Sequence, residues 1–374
     1  MKCILLGTAY PYRGGLAAFN ERLVRELIAA GHDASIITFT LQYPNFLFPG
    51  KTQFSDSPPP DNISIQRKVN SINPFNWWRV GKYIQQQKPD LLIIKYWLPF
   101  MAPCFSTIAR IAKKNGITKV ICIADNIIPH EPKFYDNYFT NYFIKQMDGF
   151  VVMSNQVLKD LAKFNRNKLR ATTPHPLFDN FGAKISKQEA CNHLKLEESK
   201  KYILFFGFIR DYKGLDILLE AFWNTALPGD IELIVAGEFY TDKVQYIKLI
   251  PESAKHKIHL FEKFISDEEV KYFFCAADLV VQPYKHATQS GVTQIAYHFE
   301  VPMIVTDVGG LAEMVPDNEV GYVVQPHATE VGNAIRKYFS KNAKAFFIAN
   351  MQKEKKRFGW NRIVGVIMDV YGKL

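Results

Sequence analysis

The chain has 374 residues, too many for one compact core and typical of two domains. Its hydrophobic content of 48% and charged content of 22% are those of a globular protein and exclude a disordered one. The five scattered cysteines have no metal-ligand spacing and indicate reduced thiols. No apolar stretch has the form of a signal peptide or a membrane span, so we expect a cytoplasmic protein.

The net charge of +10 is concentrated in the first half of the sequence. Residues 1–182 hold 22 lysines and arginines against 12 acidic residues, whereas residues 183–374 hold 24 of each kind. This excess fits a basic surface without a partner, and it equally fits attraction to an anionic membrane or a phosphate-bearing acceptor. No recognised nucleic-acid-binding motif accompanies the charge, so we expect no nucleic acid partner.

Short apolar strands alternate with helices along the first half of the chain. Strands are predicted over 2–6, 34–39, 90–96, 119–124 and 149–153, and helices over roughly 16–28, 77–87 and 102–115. Gly31 supplies a stop signal for the first helix. Buried strands separated by helices predict a parallel sheet with helices on both faces.

The second half repeats this pattern after a proline-containing stretch at 174–176. Strands are predicted over 202–206, 231–236, 257–261, 279–282, 303–306 and 321–324. Ser266 and Glu269 have the spacing of a capping box. We therefore predict an α/β protein of two doubly wound domains around a cleft, with ligands beyond the carboxyl ends of the strands.

A basic loop follows the strand that ends at Phe206. Arg210 and Lys213 lie three residues apart, at a turn that begins with Gly207 and ends with Gly214. An arginine can bind one phosphate through two hydrogen bonds while a lysine neutralises a second, so this spacing suits a diphosphate. A solvated basic turn is the alternative for this loop taken alone.

A second loop of small residues leads into a predicted helix at about 293–299. Its last residues are Ser290, Gly291 and Val292. Free backbone N–H groups at a helix N-terminus, together with the helix dipole, bind anions. Ser290 equally suits an ordinary N-cap, and one turn can serve both purposes.

Two acidic residues follow other strands of the second half. Glu313 comes after the paired glycines 309–310, which permit close approach of a ligand, and is a candidate acceptor for sugar or ribose hydroxyls. Glu238 lies in the loop after Ala236 and is included among the predicted donor-binding residues. Each of these signals is weak when taken singly.

Taken in order, these features make the sequence resemble, over nearly the whole chain, the retaining glycosyltransferases of family 4. This family has the GT-B fold of two Rossmann-like domains. The markers are Gly14-Gly15 after the first strand, the loop with Gly207, Arg210 and Lys213-Gly214, the stretch 301–311, and Phe358-Gly359-Trp360. The resemblance implies an acceptor-side domain over 1–180, completed by a last helix at about 358–374. It implies a nucleotide-sugar-binding domain over 181–357.

The resemblance also implies an activity. The family transfers a sugar from a nucleoside-diphosphate sugar to a glycan, lipid-linked or small-molecule acceptor, with retention at the anomeric carbon. Gly14 and Gly15 would approach the donor diphosphate, and Arg210 and Lys213 would neutralise the leaving group. Two cations and a helix N-terminus supply that stabilisation, so neither a metal nor a cofactor is expected. Together with the basic first half, this predicts a cytoplasmic enzyme and leaves open whether it also makes peripheral contact with the inner membrane face.

The sequence departs from the family pattern at two places. Phe208 stands where the family commonly has an arginine, and Arg210 follows two residues later. The family's two glutamates in an E-x7-E motif would fall at Ala287 and Ile295. We expect Gln289, Ser290 and backbone amides to replace the donor contacts that those glutamates make.

The remaining candidates lie in the first half. Asp125 follows the strand 119–124, where the family usually has a histidine, and no cation is near it in the sequence. We predict it to be catalytic, with an Asx turn as the alternative. Trp97, at a strand end, is predicted to face the cleft on the acceptor side. His130 is a second acceptor-side candidate, with a structural role after Pro129 as the alternative.

Other functions stay open. An NAD(P)-linked enzyme would share the fold type, but no G-x-G-x-x-G follows the first strand. A GT-B sugar-nucleotide epimerase or a phosphorylase would share the cleft, although no cofactor lysine for a phosphorylase is identified. The missing glutamates also suit a non-catalytic sugar-nucleotide-binding protein.

Overall fold

The computed structural model describes residues 1–44, 52–55, 58–129, 134–287 and 290–374. They form two compact units, one of Met1–Pro176 with Gly359–Leu374 and the other of Leu177–Phe358. The boundary predicted after residue 180 lies in the same connecting stretch as the observed division. Each unit is a parallel sheet with helices packed on it, as predicted for a doubly wound α/β protein.

The first unit contains a seven-stranded parallel sheet. Its strands are β1 (Lys2–Leu6), β2 (Asp33–Leu41), β3 (Ser64–Asn70), β4 (Leu91–Tyr96), β5 (Lys119–Ala124), β6 (Gly149–Val152) and β7 (Leu169–Thr172). They lie in the order β3-β2-β1-β4-β5-β6-β7. The sequence did not predict β3 and β7, because these edge strands are largely half-buried or exposed and lack an apolar run.

Helices cover both faces of this sheet. They are α1 (Gly15–Ala29), α2 (Pro74–Gln87), α3 (Ala102–Ala112), α4 (Asp136–Gln146) and α5 (Asn155–Phe164). A Cβ atom at Gly81 of α2 would lie 2.7 Å from Ile111 of α3, so the glycine allows these two helices to pack closely. The four residues Leu91, Leu92, Ile93 and Ile94 of β4 are fully buried, as expected of a central parallel strand.

The second unit contains a six-stranded parallel sheet. Its strands are β8 (Lys201–Phe206), β9 (Ile231–Ala236), β10 (Ile258–Phe261), β11 (Leu279–Gln282), β12 (Met303–Thr306) and β13 (Gly321–Val324). They lie in the order β10-β9-β8-β11-β12-β13. Four of these strands have the predicted bounds, and β8 and β10 differ from the prediction by one residue at their starts.

Eight helices accompany this sheet in the described part of the second unit. They are α6 (Lys187–Leu194), α7 (Leu215–Asn224), α8 (Val244–Ile247), α9 (Val270–Ala276), α10 (Gly291–Phe299), α11 (Leu311–Met314), α12 (Ala328–Ser340) and α13 (Lys344–Glu354). At the predicted capping box, the Glu269 carboxylate accepts hydrogen bonds from the Ser266 N–H and hydroxyl, at 3.3 and 3.2 Å. The helix begins at Val270, directly after this box.

The last helix, α14 (Trp360–Tyr371), belongs to the first unit, as the family resemblance implied. The Trp360 ring packs on Phe19 of α1, with 5.2 Å between centroids, and the Arg22 guanidinium lies 5.1 Å from the Trp360 ring centroid. Across the described residues, no helix combines the length and the apolar character that crossing a bilayer requires.

Strand order reverses direction once in each sheet. The first strand of each unit, β1 or β8, pairs on one side with the strand that follows it and on the other side with β4 or β11, which comes later. Ligands of open parallel sheets bind beyond the carboxyl ends of the strands at such a switch point. The loops after β8 and β11 are therefore the first place to look for a site in the second unit, and those after β1 and β4 in the first.

Candidate functional site

The loops after β8 and β11 meet at the switch point of the second sheet. The Lys285 N–H donates to the Tyr212 carbonyl oxygen at 2.7 Å, and the Tyr212 and Tyr284 rings pack edge to face at 6.2 Å. Gly214 has a φ of +69°, and a Cβ atom there would lie 2.0 Å from the Pro283 carbonyl oxygen. The two loops predicted to bind the donor are thus in direct contact.

Lys213 is buried at this junction, with 9% of the residue exposed. Its Nζ lies 5.6 Å from the Tyr284 ring centroid and 2.9 Å from the position that a Cβ atom of Gly207 would occupy. The Cγ2 atom of Val292, in α10, is 3.7 Å from that same position. Three predicted donor-binding residues therefore converge on one point at the carboxyl edge of the sheet.

The charge on Lys213 is not balanced within the chain as described. Burial, and to a lesser extent the positive charge of Arg210, lower the pKa of Lys213 to about 7. Among the residues that the structure describes, no carboxylate forms an ion pair with this ammonium. A buried cation without a counterion is costly, and an anion bound at the same point would supply the missing partner.

Arg210 lies at the exposed side of the same loop. Its guanidinium carbon is 5.0 Å from the ring centroid of Tyr240, in the loop after β9. Backbone hydrogen bonds join the two loops, from the Ile209 N–H to the Glu238 carbonyl oxygen and from the Tyr240 N–H to the Ile209 carbonyl oxygen, each at 2.9 Å. Arg210 thus lies on the same loop as Lys213, and the binding of a diphosphate by these two cations stays a prediction.

Ser290 occupies the N-cap position of α10 without capping it through its side chain. Its hydroxyl donates to the Gln282 Oε1 atom at 2.6 Å and lies 3.4 Å from the Tyr284 hydroxyl. The sequence left open whether Ser290 is an ordinary N-cap. In the structure its side chain does not cap the helix. Because the Ser290 side chain does not cap this turn, the N–H groups at the start of α10 stay candidates for binding an anion.

The other predicted donor residues are Glu238, Glu313 and Gln289. Glu238 is buried, with 5% of the residue exposed, and lies in the loop that pairs with Ile209. Glu313 lies on α11, where its side chain is exposed and its carbonyl oxygen accepts a 3.0 Å hydrogen bond from Arg357. Gln289 falls outside the described residues. Their roles in donor binding stay predictions.

In the first unit, Gly14 precedes α1 with a φ of +99°. A Cβ atom there would meet nothing within 4 Å, so the backbone conformation, rather than crowding, favours glycine. Gly15 opens the helix, whose N-terminus has no side-chain cap and no acidic residue in its first turn. The predicted approach of this loop to the donor stays a prediction.

Asp125 does have a cationic partner, which corrects the expectation from the sequence. Its Oδ1 atom lies 2.7 Å from the Nζ atom of Lys95, on the neighbouring strand β4. The side chain of Lys95 is 1% exposed and that of Asp125 13% exposed, and the Lys95 ammonium also lies 3.5 Å from the Phe19 ring centroid. Burial lowers the pKa of Lys95, and the Asp125 carboxylate opposes that change.

His175 lies close to this ion pair. Its ring packs on Phe19 at 5.3 Å, and burial, with the nearby charge of Lys95, lowers the pKa of His175 to about 3. The imidazole is thus neutral at physiological pH. The Asp125 carboxylate is therefore the group that balances the Lys95 charge.

Trp97 packs into the core of the first unit. Its indole N–H donates to the Tyr43 hydroxyl at 2.7 Å, and its ring meets Phe39 and Phe105 edge to face, at 6.3 and 5.9 Å. Trp97 is half-buried in this packing, and its predicted contact with an acceptor stays a prediction. His130 lies outside the described residues, so its acceptor-side role stays a prediction.

Lys95 was not predicted from the sequence to lie at the site. A signal was present, because Lys95 is the only charged residue in the otherwise apolar strand sequence of β4 and lies near its carboxyl end. A lysine buried in a central strand needs an anionic partner, and such a partner follows most naturally on a neighbouring strand. The same reasoning would have linked Lys95 with Asp125.

Comparison with family models identifies both halves of the chain. Residues 13–173 match the model described as Glycosyltransferase Family 4, and residues 186–357 match the model described as Glycosyl transferases group 1. These matches fall in the first and second units respectively. The N-acetyl-alpha-D-glucosaminyl L-malate synthase of Bacillus anthracis is 21% identical over 85% of this chain and 82% of its own length.

Solved structures share the whole architecture. HepE from Anabaena, in complex with UDP-glucose, has a TM-score of 0.75 at 18% identity, with all of both chains covered. The sucrose-phosphate synthase of Thermosynechococcus elongatus has a TM-score of 0.74 at 16% identity, over 100% of this chain and 99% of its own. At these identities, the likeness establishes the fold, which is GT-B.

The affinity for a nucleoside diphosphate should fall as the pH rises from 7 to about 9. Lys213 has a pKa of about 7 and loses its charge over this range, whereas the phosphate groups are already ionised. We expect a loss of up to about tenfold per pH unit, measured by titration calorimetry. Lys213→Met should bind more weakly and with little dependence on pH.

Lys285→Met is the matched control for this titration. Lys285 lies in the adjoining loop, but its ammonium is paired with Asp216 at 2.8 Å and Asp211 at 3.3 Å. This variant should keep the pH dependence of the native protein. A Lys213→Met protein with the native affinity and pH profile would show that the Lys213 ammonium does not bind the anion.

Asp125→Asn should lower the free energy of unfolding by about 3–5 kcal/mol, because it leaves the buried Lys95 ammonium without its anion. Combining it with Lys95→Met removes both charges and should restore most of the loss, as measured by denaturant unfolding. Glu26→Gln, which breaks the half-buried Arg22–Glu26 pair on α1, is the control and should cost well under about 1 kcal/mol. A double variant no more stable than Asp125→Asn would contradict this account.

Proposed function

Because the chain belongs to the GT-B glycosyltransferases of family 4, we propose that it moves a sugar from a nucleoside-diphosphate sugar to a glycan, lipid-linked or small-molecule acceptor. The observation that carries the proposal is the buried Lys213 ammonium at the switch point of the second sheet, without a carboxylate partner among the described residues. The HepE structure is a complex with UDP-glucose, so uridine-diphosphate sugars are the first donors to test.

Lys213, Arg210 and the N-terminus of α10 would act on the leaving group. When the bond between the anomeric carbon and the diphosphate oxygen breaks, negative charge grows on the diphosphate. Two cations and a helix N-terminus directed at that charge stabilise the transition state more than the ground state. Because they supply this stabilisation themselves, we propose that the reaction needs no metal and no cofactor.

The stereochemical part of the proposal is retention at the anomeric carbon. In this scheme the acceptor hydroxyl attacks on the face that the diphosphate leaves, and its proton passes to the departing phosphate oxygen. The new glycosidic bond forms as the donor bond breaks, so no protein nucleophile is required. Asp125, oriented by Lys95, is proposed to contact the reacting sugar or the acceptor from the first unit.

A second candidate, sugar-nucleotide binding without transfer, rests on the two positions where the family has glutamates. Ala287 is 8% exposed and Ile295 is 6% exposed, so both places are filled by buried apolar side chains. An apolar side chain cannot accept hydrogen bonds from sugar or ribose hydroxyls. If no other group makes those contacts, the protein would bind the diphosphate and turn over slowly or not at all.

The last part of the proposal concerns where in the cell the protein works. By charge count, the first unit holds 24 lysines and arginines against 12 acidic residues, and the second holds 22 against 24. The unit that would receive the acceptor is thus the basic one. We propose that the protein works at the cytoplasmic face of a membrane, on an acceptor carried by or near anionic lipid.

The test is release of nucleoside diphosphate from a panel of UDP- and GDP-activated sugars, with and without EDTA. We expect turnover with at least one donor, unchanged by EDTA, and a product whose anomeric configuration by NMR matches the donor. Arg210→Ala and Lys213→Ala should each weaken nucleoside-diphosphate binding by about 1 kcal/mol or more, roughly fivefold, with Lys285→Ala as control.

The outcomes separate the alternatives. Native affinity in both the Arg210→Ala and Lys213→Ala variants would refute the donor site. Loss of turnover in EDTA would refute metal independence, and an inverted product would refute retention. Tight binding of a nucleotide sugar, without transfer to any acceptor or to water, would favour the non-catalytic function.

A further inference from the structure

Three apolar side chains are exposed at the start of α2. Ile72, just before the helix, is 49% exposed, Phe75 is 83% exposed and Trp78 is 55% exposed. Phe75 and Trp78 lie three residues apart and so share one face of the helix. The other face is buried through Val80 and Ile84. The helix is therefore fully packed on its core side and still presents large apolar groups to solvent.

Positive charge surrounds these groups. The stretch 62–89 contains no acidic residue and has five basic ones, which are Arg67, Lys68, Arg79, Lys82 and Lys88. Arg79 follows Phe75 by four residues, and Lys82 follows Trp78 by four, so both cations extend the face that carries the aromatic rings. The Lys82 ammonium donates a 3.0 Å hydrogen bond to Gln85 Oε1, which is an amide oxygen and carries no charge. The face is thus both apolar and cationic.

The start of α2 lies at a defined edge of the first sheet. A helix that connects parallel strands runs antiparallel to them, so the start of α2 lies at the carboxyl edge of the first sheet. Gly14 and Asp125 follow strands at that same edge. Two further exposed aromatic residues, Phe134 at 97% and Tyr138 at 75%, lie at the start of α4 and therefore also at this edge.

We propose that the face formed by Ile72, Phe75, Trp78, Arg79 and Lys82, here called the α2 face, docks on an anionic phospholipid bilayer. Aromatic side chains are favoured in the interfacial layer, and lysine and arginine are attracted to anionic headgroups. The charge of the first unit is complementary to such a surface. This docking extends the proposed function, since it would bring the carboxyl edge of the first sheet to an acceptor in the membrane.

Co-sedimentation with vesicles tests the α2 face. The native protein should bind vesicles of phosphatidylcholine with about 30% phosphatidylglycerol far better than phosphatidylcholine alone, and added salt should weaken the binding. Phe75→Ser/Trp78→Ser should lower the partition coefficient about tenfold or more. Arg79→Gln and Lys82→Gln should each lower it about fivefold and reduce the preference for anionic lipid.

Phe346→Ser is the matched control, because Phe346 is 58% exposed on α13 of the second unit, which has no excess of positive charge. It should bind vesicles like the native protein. Absence of binding to anionic vesicles, or equal binding by Phe75→Ser/Trp78→Ser and Phe346→Ser, would overturn the proposal. Binding by the native protein to an acidic protein but not to anionic vesicles would overturn it as well.

A second measurement, the affinity for a nucleoside diphosphate in the absence of lipid, distinguishes failure of membrane docking from failure of the proposed transferase function. All the α2-face variants should keep the native affinity, because the donor site lies in the other unit. If the native protein binds vesicles but transfers no sugar, the docking surface stands and the transferase function fails. If it transfers sugar but ignores vesicles, the docking surface fails alone.

Discussion

The donor site that we propose in the second unit depends on the buried ammonium of Lys213, for which the described residues offer no carboxylate partner. A lysine in this position destabilises the empty site, and burial lowers its pKa to about 7. The surrounding geometry maintains the arrangement: Gly207 leaves room for the Nζ atom, and Gly214 lets the loop touch the neighbouring loop at Pro283. An anion at this point would restore charge balance, and the diphosphate of a nucleotide sugar is the anion that we propose.

The parallel sheets determine where ligand-binding side chains can lie. In each unit the strand order reverses beside the first strand, and the loops on the two sides of that reversal are free to hold a ligand. In the second unit these are the loop with Arg210 and Lys213 and the loop that ends at Ser290. In the first unit the corresponding edge carries the Gly14 loop and the Lys95–Asp125 pair, whose charges balance each other. Among the described residues, the second unit therefore has a buried cation without a carboxylate partner, which is Lys213. The first unit has a pair whose charges balance, which is Lys95 with Asp125.

Much of this arrangement could be predicted from the sequence because it is local. Strand bounds in the second unit follow from short apolar runs, and the position of Arg210 and Lys213 after β8 follows from the strand that precedes them. Contacts between distant segments could not be predicted in the same way. Lys95 and Asp125 are thirty residues apart and meet because β4 and β5 are neighbours. Ser290 fits an N-cap by sequence, yet its hydroxyl binds Gln282. Trp97 follows the end of β4, and its indole N–H donates to the hydroxyl of Tyr43, fifty-four residues away along the chain.

The measurement that tests the central claim most directly is a crystal structure of the protein with a nucleoside diphosphate bound. The account predicts that the Lys213 Nζ atom lies within hydrogen-bonding distance, about 2.7–3.2 Å, of a phosphate oxygen. It also predicts that the Arg210 guanidinium and the N–H groups at the start of α10 contact the same diphosphate. A nucleotide bound elsewhere, or a diphosphate held by other residues while the Lys213 ammonium stays without an anion, would contradict the account.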